Sequence, residues 1–242
     1  MRASFPLYLA LAVGFIVIVV YWLRLLSRDW VLDWLDAYPA EEGEQWANIY
    51  DRLKELARRA RLEAPELWIL PEFSPNAVVM GAFGGRAAVV ALTEGMLHTV
   101  TSKEMEAVLC LCLSQTKNPV SKRAAFLSFI FYPFCAALNL LPRAFWFFLS
   151  PLFRAILIRL SKPEKILLAD EEAQKMLGGG ESLAAALQTT YIASRKIKIR
   201  RWNLAFDHLF LLSPMQLEAA PIFFFPRVPS IAQRREKILA RS

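Results

Sequence analysis

Histidine is almost absent from the 242 residues: only His98 and His208 occur. A helix grips zinc with two imidazoles four residues apart, and these two cannot supply that pair. A displaced metal site would need both to converge with Cys110, Cys112 or an acid, and nothing in their spacing supports it. Cysteine is equally scarce. Cys110, Cys112 and Cys135 form an odd set, which argues against a disulfide framework. Cys110 and Cys112 stand two apart on a helical stretch, so their side chains diverge by about 200°. The run Gly178 to Gly180 has no strand before it and no Gly-Lys-Ser/Thr after it, which excludes a phosphate loop and leaves a helix C-cap. No internal repeat is present.

Charge is missing from a long stretch as well: residues 6 to 23 contain no acid and no base before Arg24. The chain is 56% hydrophobic with a mean hydropathy of +0.33, too apolar for an ordinary soluble domain. Two blocks hold the excess, Pro6 to Leu26 and Ala124 to Leu160. About 20 apolar residues span a bilayer core. The first block therefore reads as an uncleaved anchor with Tyr21, Trp22 and Arg24 at its interface; a signal peptide, the competing reading, would need a stronger basic start and a cleavage site. The net charge of +7 and pI near 9.5 admit nucleic acid, acidic partners or an anionic membrane. In a chain with such blocks the expected partners are membrane lipids and other membrane proteins or a larger membrane complex, with no nucleic acid. Only Arg2 precedes the first block, so the positive-inside rule puts the globular part in the cytoplasm.

The expected organisation is an anchor over 1–26, an interfacial connector over 27–46, the first half of a globular domain over 47–123, a kinked membrane helical hairpin over 124–160 turning at Asn139 to Arg143, and the second half of the domain over 161–242. A hairpin entering one leaflet is the alternative for the fourth segment. Ile49, Leu53, Leu56 and Ala60 make a helical stripe. ELWIL reads as a strand, Ser74 to Asn76 as a turn, and AVVMGAFGGRAAVVAL as two strands around a Gly81 to Gly85 hairpin. Ser102 reads as an N-cap to a buried helix with Glu104 and Glu106 in its first turn. A helix, the glycine stop and a second helix follow after Leu167. RKIKIRRW, residues 195 to 202, reads as a solvated or lipid-facing basic face, and SIAQRREKILA as a closing helix. The fold class is α+β, mainly helical with a small sheet.

That order of elements resembles the HtpX-like integral-membrane metalloproteases of the gluzincin type. LARRARLEAPELWIL, SPNAVVMG and AAVVALTEGML look like their opening helix and strand, their Pro-Asn-Ala turn with its edge strand, and their next strand and helix. KEMEAVLCLCLSQTKN is similar to the segment that holds HExxH before a Lys-Asn pair, and LADEEAQKMLGGGESLAAAL to the later helix carrying a glutamate ligand. The resemblance covers about residues 47 to 240. Matching Lys117 and Asn118 places Leu111 and Gln115 at the two histidines and Cys112 at the glutamate base. Matching Ala169 and Asp170 places Leu168 at the third ligand. The family's carboxyl-terminal His-Pro motif falls on FFFPRVPS, without histidine. The resemblance thus implies an inner-membrane, multi-pass protein whose metal positions are all replaced: no metal, no cofactor, and no zinc-protease activity.

The expected function is a pseudoprotease that binds, scaffolds or serves a membrane complex as an accessory subunit. Strands around Ala77, Val78 and Val79, and Ala87, Val89 and Val90 on to Leu92, resemble the edge along which active relatives lay substrate, and edge pairing needs only backbone hydrogen bonds. The rival is an active peptidase, with relocated ligands or with Cys112 as nucleophile and His208 as base. Burial as a small hydrophobe is the plainer reading of Cys112. Asp170, Glu171 and Glu172 read as solvated acids. The aromatics at Phe145 to Phe148 and Phe223 to Phe225 read as lipid- or partner-facing.

Overall fold

A computed structural model describes residues 4–40, 44–118, 121–140, 164–217 and 229–240. The first helix, α1, runs Ser4–Trp34 without a break. From Tyr8 to Trp22 its large apolar side chains are exposed, Phe15 by 69%, whereas Ser27, Val31 and Leu32 are buried, as is Leu35 just beyond its end. Among the described residues it is the one helix long and apolar enough to cross a membrane. The expected boundary at residue 26 therefore falls inside a helix. A stripe at Ser27, Val31 and Leu35 carries it onto the domain, and the separate connector over 27–46 dissolves into the end of α1, β1 (Tyr38–Pro39) and the start of α2 (Glu44–Arg59).

The sheet adds β2 (Glu66–Leu70), β3 (Ala77–Met80) and β4 (Val89–Thr93) in the order β1-β2-β4-β3. β2 and β4 are parallel; the outer pairings are antiparallel. Alternation along each strand gives the sheet two apolar faces. Leu67, Ile69, Ala77, Val79, Val90 and Leu92 point to one core, and Leu70, Val78, Met80, Val89 and Ala91 to the other. The first core is filled by α4 (Ser102–Thr116), which follows the short α3 (Glu94–Thr99). Thr101, one residue before the expected cap, closes α4 with a capping box to Glu104. Every residue from Ala107 to Ser114 is buried, so the middle of α4 is enclosed on all sides.

α5 (Ser121–Leu140) lies on the second face with α1. Ser27 and Arg28 share a small cavity with Ala125 and Phe126. Further along, Trp30 packs edge-on to Phe129 at 5.2 Å, and Trp34 Nε1 donates to the Tyr132 hydroxyl at 3.1 Å. The two helices therefore run in the same direction, and α5 leads away from the exposed part of α1. Within the first arm of the expected membrane hairpin, Ala124, Ser128 and Cys135 are buried on the domain. Small residues on that stripe let the backbone approach a 3-10 turn over Leu204–Leu209, where Ser128 Oγ donates to the Ala205 carbonyl at 3.0 Å. The rest of the hairpin, residues 141–160, lies outside the described residues, as do the aromatics at 145–148 and 223–225.

α6 (Glu164–Leu177) and α7 (Glu181–Lys196) pack on α4, separated by Gly178, whose φ of +71° provides the left-handed stop that the glycine run suggested. A short α8 (Pro214–Leu217) and a terminal α9 (Ile231–Leu239) complete the described chain.

Candidate functional site

Leu111, Cys112 and Gln115 all lie on α4. Leu111 and Gln115, four apart, share a helix face. Leu111 and Cys112 are wholly buried, and Gln115 is half-buried. At Ser114 the helix meets α6 backbone: the Ser114 hydroxyl lies 2.7 Å from the Leu111 carbonyl and 2.8 Å from that of Ala169. That pair of contacts ties the two helices together at this level.

Leu168 does not join them. It is 55% exposed and lines an open cleft of about 170 Å³ with Ser114, Lys117, Asn118, Lys165 and Glu172. The buried residues of α6 are Ala169, Asp170 and Ala173. In the register that the match on Ala169 and Asp170 implies, the helix leaves Leu168 exposed in the cleft.

These residues do not fit zinc. An aliphatic side chain has no lone pair. Burial pushes the Cys112 thiol up to about 12 and the Cys110 thiol up to about 11, so neither is a thiolate, the form that binds metal, at neutral pH. Among the described residues no group of three His, Cys, Asp or Glu converges on a point that could hold a metal.

The pairing of Cys112 with His208 is also broken by the fold. Cys112 belongs to the core on the α4 face, whereas His208 is on the 3-10 turn on the opposite face of the sheet, with its Nε2 at 3.1 Å from the Ala124 carbonyl. A carbonyl only accepts, so Nε2 carries a proton. Its Nδ1 is enclosed and unpartnered among the described residues. Desolvation pushes the His208 pKa down to about 4, with the carbonyl bond opposing. His98, at the end of α3, is exposed and apart from both.

The edge expected to take a partner is largely spoken for. Val89 and Val90 lie on β4, which has neighbours on both sides, and Ala87 precedes it; they offer no free edge. Ala77, Val78 and Val79 lie on β3, an outer strand, but the chain closes its start: Leu211 N–H donates to the Ala77 carbonyl at 2.7 Å, and Val78 bridges Phe210. Asn76 holds this closure. Its Nδ2 donates to the Leu212 carbonyl at 2.8 Å, and its Oδ1 accepts from the Leu212 and Ala77 N–H groups at 3.1 and 2.9 Å. The Pro-Asn-Ala turn is thus a clamp on the edge as well as a turn.

One feature of this region runs against the sequence reading. Asp170, taken as a solvated acid, is buried and forms a bidentate pair with the buried Arg234 of α9 at 2.8 and 2.7 Å. Its spacing with Ala169 and Ala173 is the signal that could have marked it as inward-facing. Glu172 pairs with Lys117 at 3.4 Å across the cleft.

Compared with known proteins, the chain matches no family model. It is similar to several curated proteins called Protease HtpX homolog. The one from Pyrococcus abyssi is 27% identical over 221 residues, covering 84% of this chain and 75% of that protein. Those from Pelotomaculum thermopropionicum and from Sulfurovum sp. are 29% and 28% identical, covering 81% and 88% of this chain and 76% and 82% of theirs.

Proposed function

We propose that this chain, similar to proteins named Protease HtpX homolog, is a non-catalytic relative: a membrane-anchored pseudoprotease that binds or scaffolds other membrane proteins. The observation that carries this reading is the enclosure of Leu111 and Cys112 within the α4 core, with Gln115 the one polar group at the three positions matched to HExxH. Metal-assisted hydrolysis needs an ion to polarise water and a base to take its proton. Neither leucine nor a thiol held protonated offers that. Replacing stranded ligands by apolar side chains also removes the cost of burying polar groups without a partner.

In this reading the exposed apolar run of α1 anchors the protein in the inner membrane, with the domain on the cytoplasmic side. The partner surface lies away from the clamped start of β3. One open groove between α2, α3 and α4 is lined by Ile49, Arg52, Leu97, Val100 and Lys103, a mixture of apolar and charged side chains of the kind protein partners use.

The test uses full-length protein purified from native membranes in mild detergent. Incubated with zinc and either casein or a membrane substrate, it is expected to cleave neither, and to bring down one or more membrane proteins in fixed ratio. Cleavage that a chelator abolishes would overturn the reading.

A further inference from the structure

We propose that the tip of the β3–β4 hairpin and the first turn of α5 form a collar around α1 that docks the domain on the anionic headgroup layer of the membrane. This rests on the reading that α1 crosses a bilayer. The collar stands where α1 passes from exposed to buried. Trp22 is 59% exposed and Ser27 fully buried, and five residues of helix rise about 8 Å. Beyond a hydrocarbon core of about 30 Å the headgroups add roughly 5 to 8 Å on each side. Whatever packs on α1 between Tyr21 and Ser27 therefore sits at headgroup depth.

Two segments do. The hairpin tip is a tight turn in which the Phe83 and Arg86 backbones exchange N–H to carbonyl bonds at 3.3 and 3.1 Å, with Gly84 and Gly85 at φ of +63° and +81°. Two successive left-handed residues are what a two-residue hairpin of this hand requires. The turn places the Phe83 ring 6.2 Å from that of Tyr21, so the aromatic at the tip joins the aromatic at the end of the exposed run. Trp and Tyr gather at this depth because one part of the ring system is apolar and another polar.

The second segment is the start of α5. Gly81 N–H donates to the Ser121 carbonyl at 2.9 Å, and a Cβ on Gly81 would meet the Lys122 backbone nitrogen at 2.8 Å. Only glycine allows the hairpin and α5 to come this close. The contact brings Lys122 to the cavity shared by Ser27, Arg28 and Phe83. Lys122 and Arg123 are exposed, and no carboxylate among the described residues pairs with either. By contrast Arg86 is paired with Asp29 and Arg28 with Glu66. Two cations without acids, an aromatic tip and a transmembrane run share one level. Their common complement is a layer of lipid phosphates. A protein partner would be met more readily by an exposed apolar patch, and at this level the large apolar side chains that are exposed, Tyr21 and Trp22, belong to α1 itself.

Nitroxide labels on single cysteines in the full chain test this, since the native cysteines are buried. The labels go at Val17→Cys, Ala82→Cys and Phe73→Cys, the last at the opposite end of the sheet, roughly 20 Å from the tip along the strand. The protein is placed in vesicles of phosphatidylcholine with phosphatidylglycerol, and relaxation by oxygen and by a water-soluble nickel chelate is compared. The label at 17 is expected to respond to oxygen, that at 73 to nickel, and that at 82 to fall between them. In K122Q/R123Q the preference for phosphatidylglycerol over phosphatidylcholine is expected to drop about fivefold for each charge removed.

A label at 82 as nickel-accessible as that at 73, with 17 deep, overturns the docking and leaves the anchor standing. Nickel access at 17 overturns both. Shielding of 82 from both reagents points to a protein partner and overturns the assignment to lipid, and an unchanged lipid preference in K122Q/R123Q overturns the part given to the two cations.

Discussion

On one face of the sheet, Ala77, Val79, Val90 and Leu92 meet the aliphatic middle of α4 and a core of leucine, alanine and cysteine. On the other, Val78, Met80, Val89 and Ala91 meet Trp30, Trp34, Tyr132 and Phe206, with ring centroids 4.4 to 5.9 Å apart. That second face carries polar hooks: the Trp34 to Tyr132 bond, Ser128 to Ala205, and His208 to Ala124. The first face is where the resemblance places HExxH, and at Leu111 and Cys112 it is dry packing. The difference teaches that the positions matched to a metal site are now part of a core, so that changes there should register as stability. Sensitivity to protons belongs to the face that holds α1.

Cys112→Glu breaks this contrast most sharply. It puts a carboxylate among the leucine, alanine and cysteine side chains of that core, and a loss of at least about 4 kcal/mol is expected, because a buried unpaired charge recovers nothing for its desolvation. Denaturant unfolding in detergent would show it, and a variant as stable as the parent would mean that a cation already sits there. Arg234→Ala, at the rim of the same face, strands Asp170 and is expected to cost about 3 to 5 kcal/mol by the same measurement. Leu111→Ala should cost about 3 kcal/mol through the cavity it opens, whereas Leu168→Ala, exposed in the open cleft, should change stability by about 0.5 kcal/mol or less. Equal effects at the two positions would mean that α6 is rotated from the orientation described.

An effect smaller than those of Cys112→Glu, Arg234→Ala and Leu111→Ala belongs to the second face. His208 is held neutral, with its pKa pushed down to about 4 from an ordinary 6.5. Between those values the unfolded chain binds a proton that the folded chain refuses. Stability is therefore full above about 6.5 and falls as the pH drops from there toward 4, by on the order of 2 kcal/mol for a half-buried ring. His208→Gln should flatten that slope in melting curves taken across the window. Leu111→Ala, which adds and strands no titratable group, should leave the slope unchanged.

Much of the local structure was legible in the sequence. ELWIL is the strand Glu66–Leu70, the Gly81 to Gly85 run is the hairpin, and Gly178 ends its helix because those signals are short-range preferences of backbone and turn. What escaped depends on distant partners. Asn76 reads as a turn residue until Leu212, 136 positions later, supplies the groups it clamps. Asp170 reads as solvated until Arg234 arrives from the last helix. The continuity of α1 past residue 26 is set by the sheet it packs on. The direction of α5 is set by the 3-10 turn and by Trp30 and Trp34, which apolar length alone does not reveal. For the candidate site, pattern matching located α4 and α6 but could not say which way Leu168 turns.

Zinc content of the full-length protein, purified from native membranes and then exposed to zinc, tests most directly whether the α4–α6 interface can hold a metal. Far less than one zinc per chain is expected, with no peptide cleavage and with no release of metal on adding a chelator. One zinc per chain, lost to a chelator together with cleavage activity, would contradict the reading of that interface as packing.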